Sequence, residues 1–229
     1  DLNLFNSKKM KKLILSITTI SILFSCGGDQ KTTSKKIETS NEVVKSKKEI
    51  IKVCKKGYDK KATRIGFGGF KTTEKVEVKG YFKKFSVDST IVADTPEEIF
   101  ANSTISIPTD YLETNNIGRN RRLREEYFGK MASTQNITGK IVNFNEESNQ
   151  VKIELTINEV SNEIDFDYEV TGDTISINGT IDILDFDAGS ALKAINKACE
   201  VLHKGADGIS KTWSESNIYI TSVIKETCE

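Results

Sequence analysis

The chain is short of several residue types, and each shortage excludes something. Its 229 residues include one histidine, one tryptophan, two methionines and two prolines, Pro96 and Pro108. With His203 as the only imidazole, no Ser–His–Asp or Cys–His set can form except through that one side chain. The cysteine spacing fits no zinc pattern, and His203 falls in a different kind of segment from Cys54 and Cys228. Charge of one sign is also lacking: 33 basic and 33 acidic residues give a formal net of zero. No basic stripe with interleaved aromatics appears, so nucleic acid is not an expected partner. P-loop and dinucleotide fingerprints are missing, as is any repeat of roughly 20–50 residues. No enzymatic activity is expected, and no catalytic residue is assigned.

What is present begins at the N-terminus. Lys8, Lys9, Lys11 and Lys12 precede the apolar run LILSITTISILF (13–24), then Ser25 and Cys26. A basic segment followed by a short apolar one is the pattern of a secretory signal, and twelve residues are too few for a permanent membrane span. LFSC resembles the bacterial lipobox, in which the cysteine is diacylated, so Cys26 is the expected lipidation site. Residues 1–25 then read as a signal peptide with Met10 as its start. Gly27 replaces the aspartate associated with inner-membrane retention, which points to the outer membrane, facing the periplasm. Residues 26–53 hold the anchor and GGDQKTTSKKIETSNEVVKSKKE, too polar to bury a core, and read as a flexible polar tether. Residues 54–229 are the expected folded domain.

Within that domain, alternation with period two dominates. Strands are expected at 63–73, 75–87, 103–108, 137–144, 151–160 and 217–226. A hairpin is expected over EIDFDYEVTGDTISINGTIDI (163–183), turning at Thr171-Gly172-Asp173. TPEEIF (95–100) carries Thr95 as a cap, Pro96 at the first helical position and Glu98 to complete a capping box. GRNRRLREEYFGKM (118–131) reads as a charged surface helix. DAGSALKAINKACEVLHKG (187–205) places Leu192, Ile195, Cys199 and Leu202 on one stripe, with Gly205 as the stop, and could plug an open end of a sheet. There is no βαβ alternation, so an all-β sandwich or barrel follows.

GFGGFKTTEKVEVKGYFKKF (66–85) sets glycines beside phenylalanines within strands. Such glycines mark bends, bulges or close approaches. They could thin the wall of a cavity, or simply build the corners of a small packed barrel. Asp165, Asp167 and Glu169 could hold calcium, yet they alternate against Ile164, Phe166 and Tyr168 as a solvated strand face does. No metal is assigned. Arg119, Arg121, Arg122 and Arg124 could meet a phosphate head group, or form a solvated helix face.

Four stretches in order, VEVKGYFKKF, SIPTDYLETNNIGRNRRLREEYFGKM, TGDTISINGTIDI and KTWSESNIYI, resemble the YceI-like family of secreted lipid-binding proteins. Arg119 and Leu123 match its helix pattern, while Asn120 stands where the family often has aspartate. The resemblance covers about 54–228. It implies a lipocalin-like, eight-stranded antiparallel barrel with an α-helix packed against it. It also implies an apolar cavity for a polyisoprenoid or isoprenoid quinone, the bound lipid expected here in place of any cofactor. Strand alternation assigns to the cavity lining Phe67, Val76, Val78, Phe82, Ile153, Leu155, Ile157, Phe166, Tyr168, Ile175 and Ile177, with Arg119 and Arg122 as head-group contacts.

Closure of such a barrel brings the first strand beside the last, so Cys54 and Cys228 are expected to form a disulfide, with Cys199 a buried free thiol. The expected function is non-enzymatic binding, storage or transport of a long-chain lipid in the cell envelope, with the membrane reached through the N-terminal anchor. The alternative is an envelope interaction module whose solid barrel binds a protein or glycan.

Overall fold

The computed structural model describes residues 54–133 and 135–228. The expected signal peptide, Cys26 and the tether lie outside them. The strands are β1 (Cys54–Tyr58), β2 (Arg64–Lys71), β3 (Val76–Phe82), β4 (Ser86–Asp88), β5 (Thr104–Pro108) and β6 (Leu112–Glu113). They continue as β7 (Asn136–Asn145), β8 (Gln150–Ile157), β9 (Val160–Thr171), β10 (Thr174–Asp182) and β11 (Thr212–Cys228). The helices are α1 (Pro96–Phe100), α2 (Ile117–Arg122) and α3 (Gly189–Ala198).

All pairings are antiparallel, in the order β4-β5-β7-β8-β9-β10-β11-β2-β3-β6, with β1 added on β11. The sheet is a curled, lipocalin-like barrel wall, but eleven segments make it, not eight. The expected strand 75–87 is split at Lys83–Phe85. Its first part, β3, lies toward one end of the path, and β4 lies at the other end. Those three residues carry the chain from one edge to the other, so the wall closes covalently where no ladder closes it. β1 and β6 are short additions, and β1 has too little alternation to be seen in sequence.

Other boundaries moved for local reasons. The expected strand 151–160 ends at Ile157, because Asn158 and Glu159 take φ of 54° and 66°. Two consecutive left-handed residues make the tight turn that matches strand twist, and β9 starts directly after it. The last strand begins at Thr212 rather than 217, beyond a register shift between Thr212 and Ser216. The capping box stands as expected: Glu98 N–H donates to Thr95 Oγ1 at 3.3 Å, and Thr95 N–H to Glu98 Oε2 at 3.4 Å.

The segment 118–131 is neither one regular helix nor a surface one. α2 passes into a π-helical turn over Leu123–Tyr127 and a 3₁₀ turn over Phe128–Lys130, and Asn120, Phe128 and Met131 are buried. Asn120 Oδ1 accepts from Thr114 N–H (2.9 Å) and Thr114 Oγ1 (2.6 Å), while its Nδ2 donates to Glu113 Oε1 (2.7 Å). An aspartate there would lose the donor and face a second carboxylate, which explains why this chain carries the amide.

The helix expected over 187–205 is confined to 189–198, and Gly205 does not stop it. After Cys199 the chain turns, with Lys211 N–H donating to His203 O at 3.2 Å. Gly205 instead lies against the β2–β3 turn, where a Cβ would meet Glu74 Oε2 at 2.7 Å and Thr73 Oγ1 at 2.8 Å.

Candidate functional site: an apolar cavity with a cationic end

Strand alternation turns Ile65, Phe67, Gly69 and Lys71 of β2 to the inside of the wall. Ile220, Ile218, Ser216 and Thr212 of β11 stand opposite them in register. All eight line one cavity of about 320 Å³. Along both strands, therefore, the lining changes in step from apolar to polar. α3 covers the cavity with Leu192 and Ile195, Cys199 does so just past its C-terminal end, and the α2 region adds Leu123, Tyr127 and Phe128.

The apolar end is sealed. Ile177 pairs with Ile220, Ile175 with Ser222 and Tyr168 with Ile177, one step further from the polar end, and all three hydrophobic side chains are buried. α1 packs there: Phe100 meets Tyr58 edge-on at 5.7 Å, and Ile99 is fully buried. The barrel is thus solid at one end and hollow at the other.

The polar end is held by a short network. His203 Nδ1 lies 2.6 Å from Thr212 Oγ1, whose own proton goes to Asn196 Oδ1 at 3.0 Å. The hydroxyl has one proton, so Nδ1 carries the ring hydrogen and Nε2 keeps its lone pair. Burial, then Lys71, Arg122 and Arg119, lower the His203 pKa to about 4. His203 lies beyond the end of α3 and is neutral at pH 7. Arg119 Nη1 donates to Thr114 O at 3.4 Å, and Lys71 Nζ to Leu202 O at 3.5 Å. Arg122 Nε is buried with no hydrogen-bond partner among the described residues. Tyr127 also faces the cavity, and burial pushes its phenol up.

A YceI-like domain model matches residues 57–208, about two thirds of the chain. The chain belongs to the YceI-like family. Two solved structures share the fold. A polyisoprenoid binding domain from Saccharophagus degradans, implicated in plant cell wall breakdown, superposes with a TM-score of 0.53 at 13% identity, covering 76% of this chain and 98% of that one. Burkholderia cenocepacia BcnA gives a TM-score of 0.50 at 16% identity, covering 73% and 99%. No curated protein sequence matches the chain.

In this YceI-like domain, seven of the residues assigned to the lining do face the cavity: Phe67, Val78, Phe82, Ile153, Leu155, Ile157 and Phe166. Arg119 and Arg122 face it too. Tyr168, Ile175 and Ile177 do not; they belong to the solid end. Val76 shares the face of Val78 but pairs with Lys71 at the rim and is 47% exposed. Alternation reports the face of a strand and not the depth along the barrel, which is why these four fail.

Sequence reasoning missed Ile218 and Ile220, Ile105 and Ile107, and the polar pair Lys71 and His203. The four isoleucines sat in recognised alternating runs. Lys71 and His203 gave no signal, since only the β2–β11 pairing and the turn after α3 bring them together. The stripe Leu192, Ile195, Cys199 does cover an opening, as a plug would, while Leu202 is half exposed at its edge.

The acidic strand face stays solvated: Asp165, Asp167 and Glu169 are exposed, and Lys152 reaches Asp165 at 3.9 Å and Glu163 at 3.5 Å. Cys54 and Cys228 face each other across β1 and β11 and are joined, with Cys199 buried and free.

Proposed function

We propose that this chain is a non-enzymatic carrier of an isoprenoid-type or other long-chain lipid, held in the bacterial cell envelope through an acylated Cys26. The observation that carries this is the hollow half of the barrel. Tight packing is the rule in protein interiors. A cavity of about 320 Å³ walled mainly by apolar side chains leaves those side chains without the contacts that core packing would give them. A chain-like apolar ligand restores the missing contacts, and pockets of this size and lining are the common form of small-molecule sites.

Membership in a family with a polyisoprenoid-binding fold supports the same reading, and Arg119 and Arg122 stand where a head group would leave the apolar part. The solid-barrel alternative would need side chains filling the volume that is hollow. Diacylglyceryl and amide-linked chains on Cys26 would supply the two-signal anchoring that one acyl chain does not. Native mass spectrometry of the purified protein, followed by lipid extraction, tests the carrier reading. Lipid mass near one per chain is expected; a clean apo mass with no uptake of added prenyl lipids would refute it.

A further inference from the structure

We propose that the sealed end of the barrel is a floor that limits the bound chain to about three or four isoprene units, with Ile177 and Tyr168 setting the limit. This rests on the lipid-carrier reading and adds a chain length to it.

The first ground is the floor itself. The inward faces of β2 and β11 run from Lys71 and Thr212 down to Ile65 and Ile220, and both isoleucines still line the cavity. One inward step further along β11 is Ser222, whose hydroxyl meets that of Thr63 at 2.7 Å, both side chains being buried. A hydrocarbon tail gains nothing from that pair and would have to break its hydrogen bond to pass. Ile177 stands opposite Ile220 on β10, and Tyr168 opposite Ile177 on β9. The Tyr168 ring is backed by Phe144, edge-on with centroids 5.1 Å apart. The disulfide between Cys54 and Cys228 ties β1 to β11 at this same end. The floor is therefore the braced part of the barrel.

The second ground is depth. Six residue steps separate Ile65 from Lys71, which at about 3.3 Å each make about 20 Å of wall. Strands in a barrel tilt by about 35–45°, so the floor lies about 15 Å below the rim. Carbon–carbon bonds near 1.5 Å, laid zigzag, advance about 1.25 Å per atom, so about 12–16 chain carbons span that distance. Each isoprene unit contributes four of them.

The third ground is volume. About 320 Å³ lies at the low end of the roughly 300–1,000 Å³ in which drug-sized ligands are held. A chain of forty carbons would need the solid half of the barrel as well as the hollow one. A longer lipid entering tail-first stops at Ile177 and leaves its remaining units outside.

The test holds the head group constant and varies only the chain. Geraniol, farnesol, geranylgeraniol and all-trans C30 and C40 polyprenols are presented to the purified full chain from one neutral detergent, and native mass spectrometry reads the occupancy of each. Occupancy is expected to peak at C15–C20 and to fall at least tenfold by C40, because each methylene left in water instead of the micelle forfeits roughly fourfold in affinity. Ile177→Ala/Tyr168→Ala lowers the floor and should move the peak to C30. Ile220→Phe raises it by filling space that is hollow, and should move the peak down by one unit.

Occupancy that stays level or rises to C40 in the parent would overturn the length limit and leave the carrier reading standing. A peak that stays put in the folded variants would overturn the floor as its cause. If the double variant fails to fold, the shift in Ile220→Phe alone decides. No uptake of a prenol of any length would overturn the carrier reading and this proposal with it.

Discussion

The ring of Phe67 occupies the place that a Cβ on Gly80 would need, with Cε1 2.8 Å from it, and the two residues stand directly opposite each other on β2 and β3. Thr114 Cγ2 closes the same spot at 2.9 Å. Glycine at 80 is therefore a place for the ring, which leans on Phe82 with centroids 5.2 Å apart. Gly80→Ala should push the ring toward the cavity and cost about 1–3 kcal/mol, as overpacking does. Denaturant midpoints measure this; a variant as stable as the parent would mean that the ring moves freely.

Gly69 faces the cavity in the opposite situation, since a Cβ there would meet nothing within 4 Å. Gly69→Phe should extend into the hollow half without displacing protein atoms. Stability is expected to hold or rise, while lipid uptake falls at least tenfold if about 1.4 kcal/mol of chain contact is lost. Uptake at the parent level in a folded Gly69→Phe protein would place the lipid elsewhere.

The bridge between Cys54 and Cys228 spans a sequence separation of 174. Closing so long a loop limits the unfolded chain, and the entropy model allows roughly 4–5 kcal/mol, an upper figure. Reductant, or Cys54→Ser with Cys228→Ser, should lower the melting temperature. Without reductant, a peptide map should show 54 linked to 228 and a free thiol at 199; a linked Cys199 peptide would contradict the β1–β11 closure.

His203 gives a pH signature whose sign is set by a native pKa near 4 against an ordinary value of 6.5. The native imidazole is neutral between those values, whereas the unfolded one takes up a proton. Stability therefore falls as pH is lowered through about 6.5 to 4, then levels off for this group. Glu74 and Glu113, both held near 2, begin to matter only below their ordinary range, which leaves pH 5–6.5 to the histidine. His203→Gln should flatten the stability curve there; an unchanged slope would mean another group sets it.

Cys26 carries the localisation half of the proposal. Cys26→Ser should release the protein from the membrane fraction with its fold and lipid uptake intact. Mass spectrometry of the N-terminal peptide provides the second readout, and unchanged membrane association without lipid mass would remove the anchor.

Local chemistry was legible in the sequence wherever it acts over a few residues. Thr95 and Glu98 announce their capping box because both partners lie within one turn of chain. Thr171-Gly172-Asp173 announces its hairpin, and Ile153, Leu155 and Ile157 announce their face, because side chains alternate across any strand. The four ordered stretches also carried the family. Tertiary structure alone decided which inward residues are core and which are cavity wall. Ile177 and Ile153 obey the same alternation, yet α1 seals the end near Ile177 and leaves the space beside Ile153 hollow. It also decided that Lys71, Arg119, Arg122 and His203 converge. Lys71, the Arg119–Arg122 pair and His203 lie far apart along the chain, and their meeting depends on β2 pairing with β11 and on where the chain turns after Cys199. Periodicity sets direction across a strand; position along the barrel is set by what the rest of the chain packs against each end.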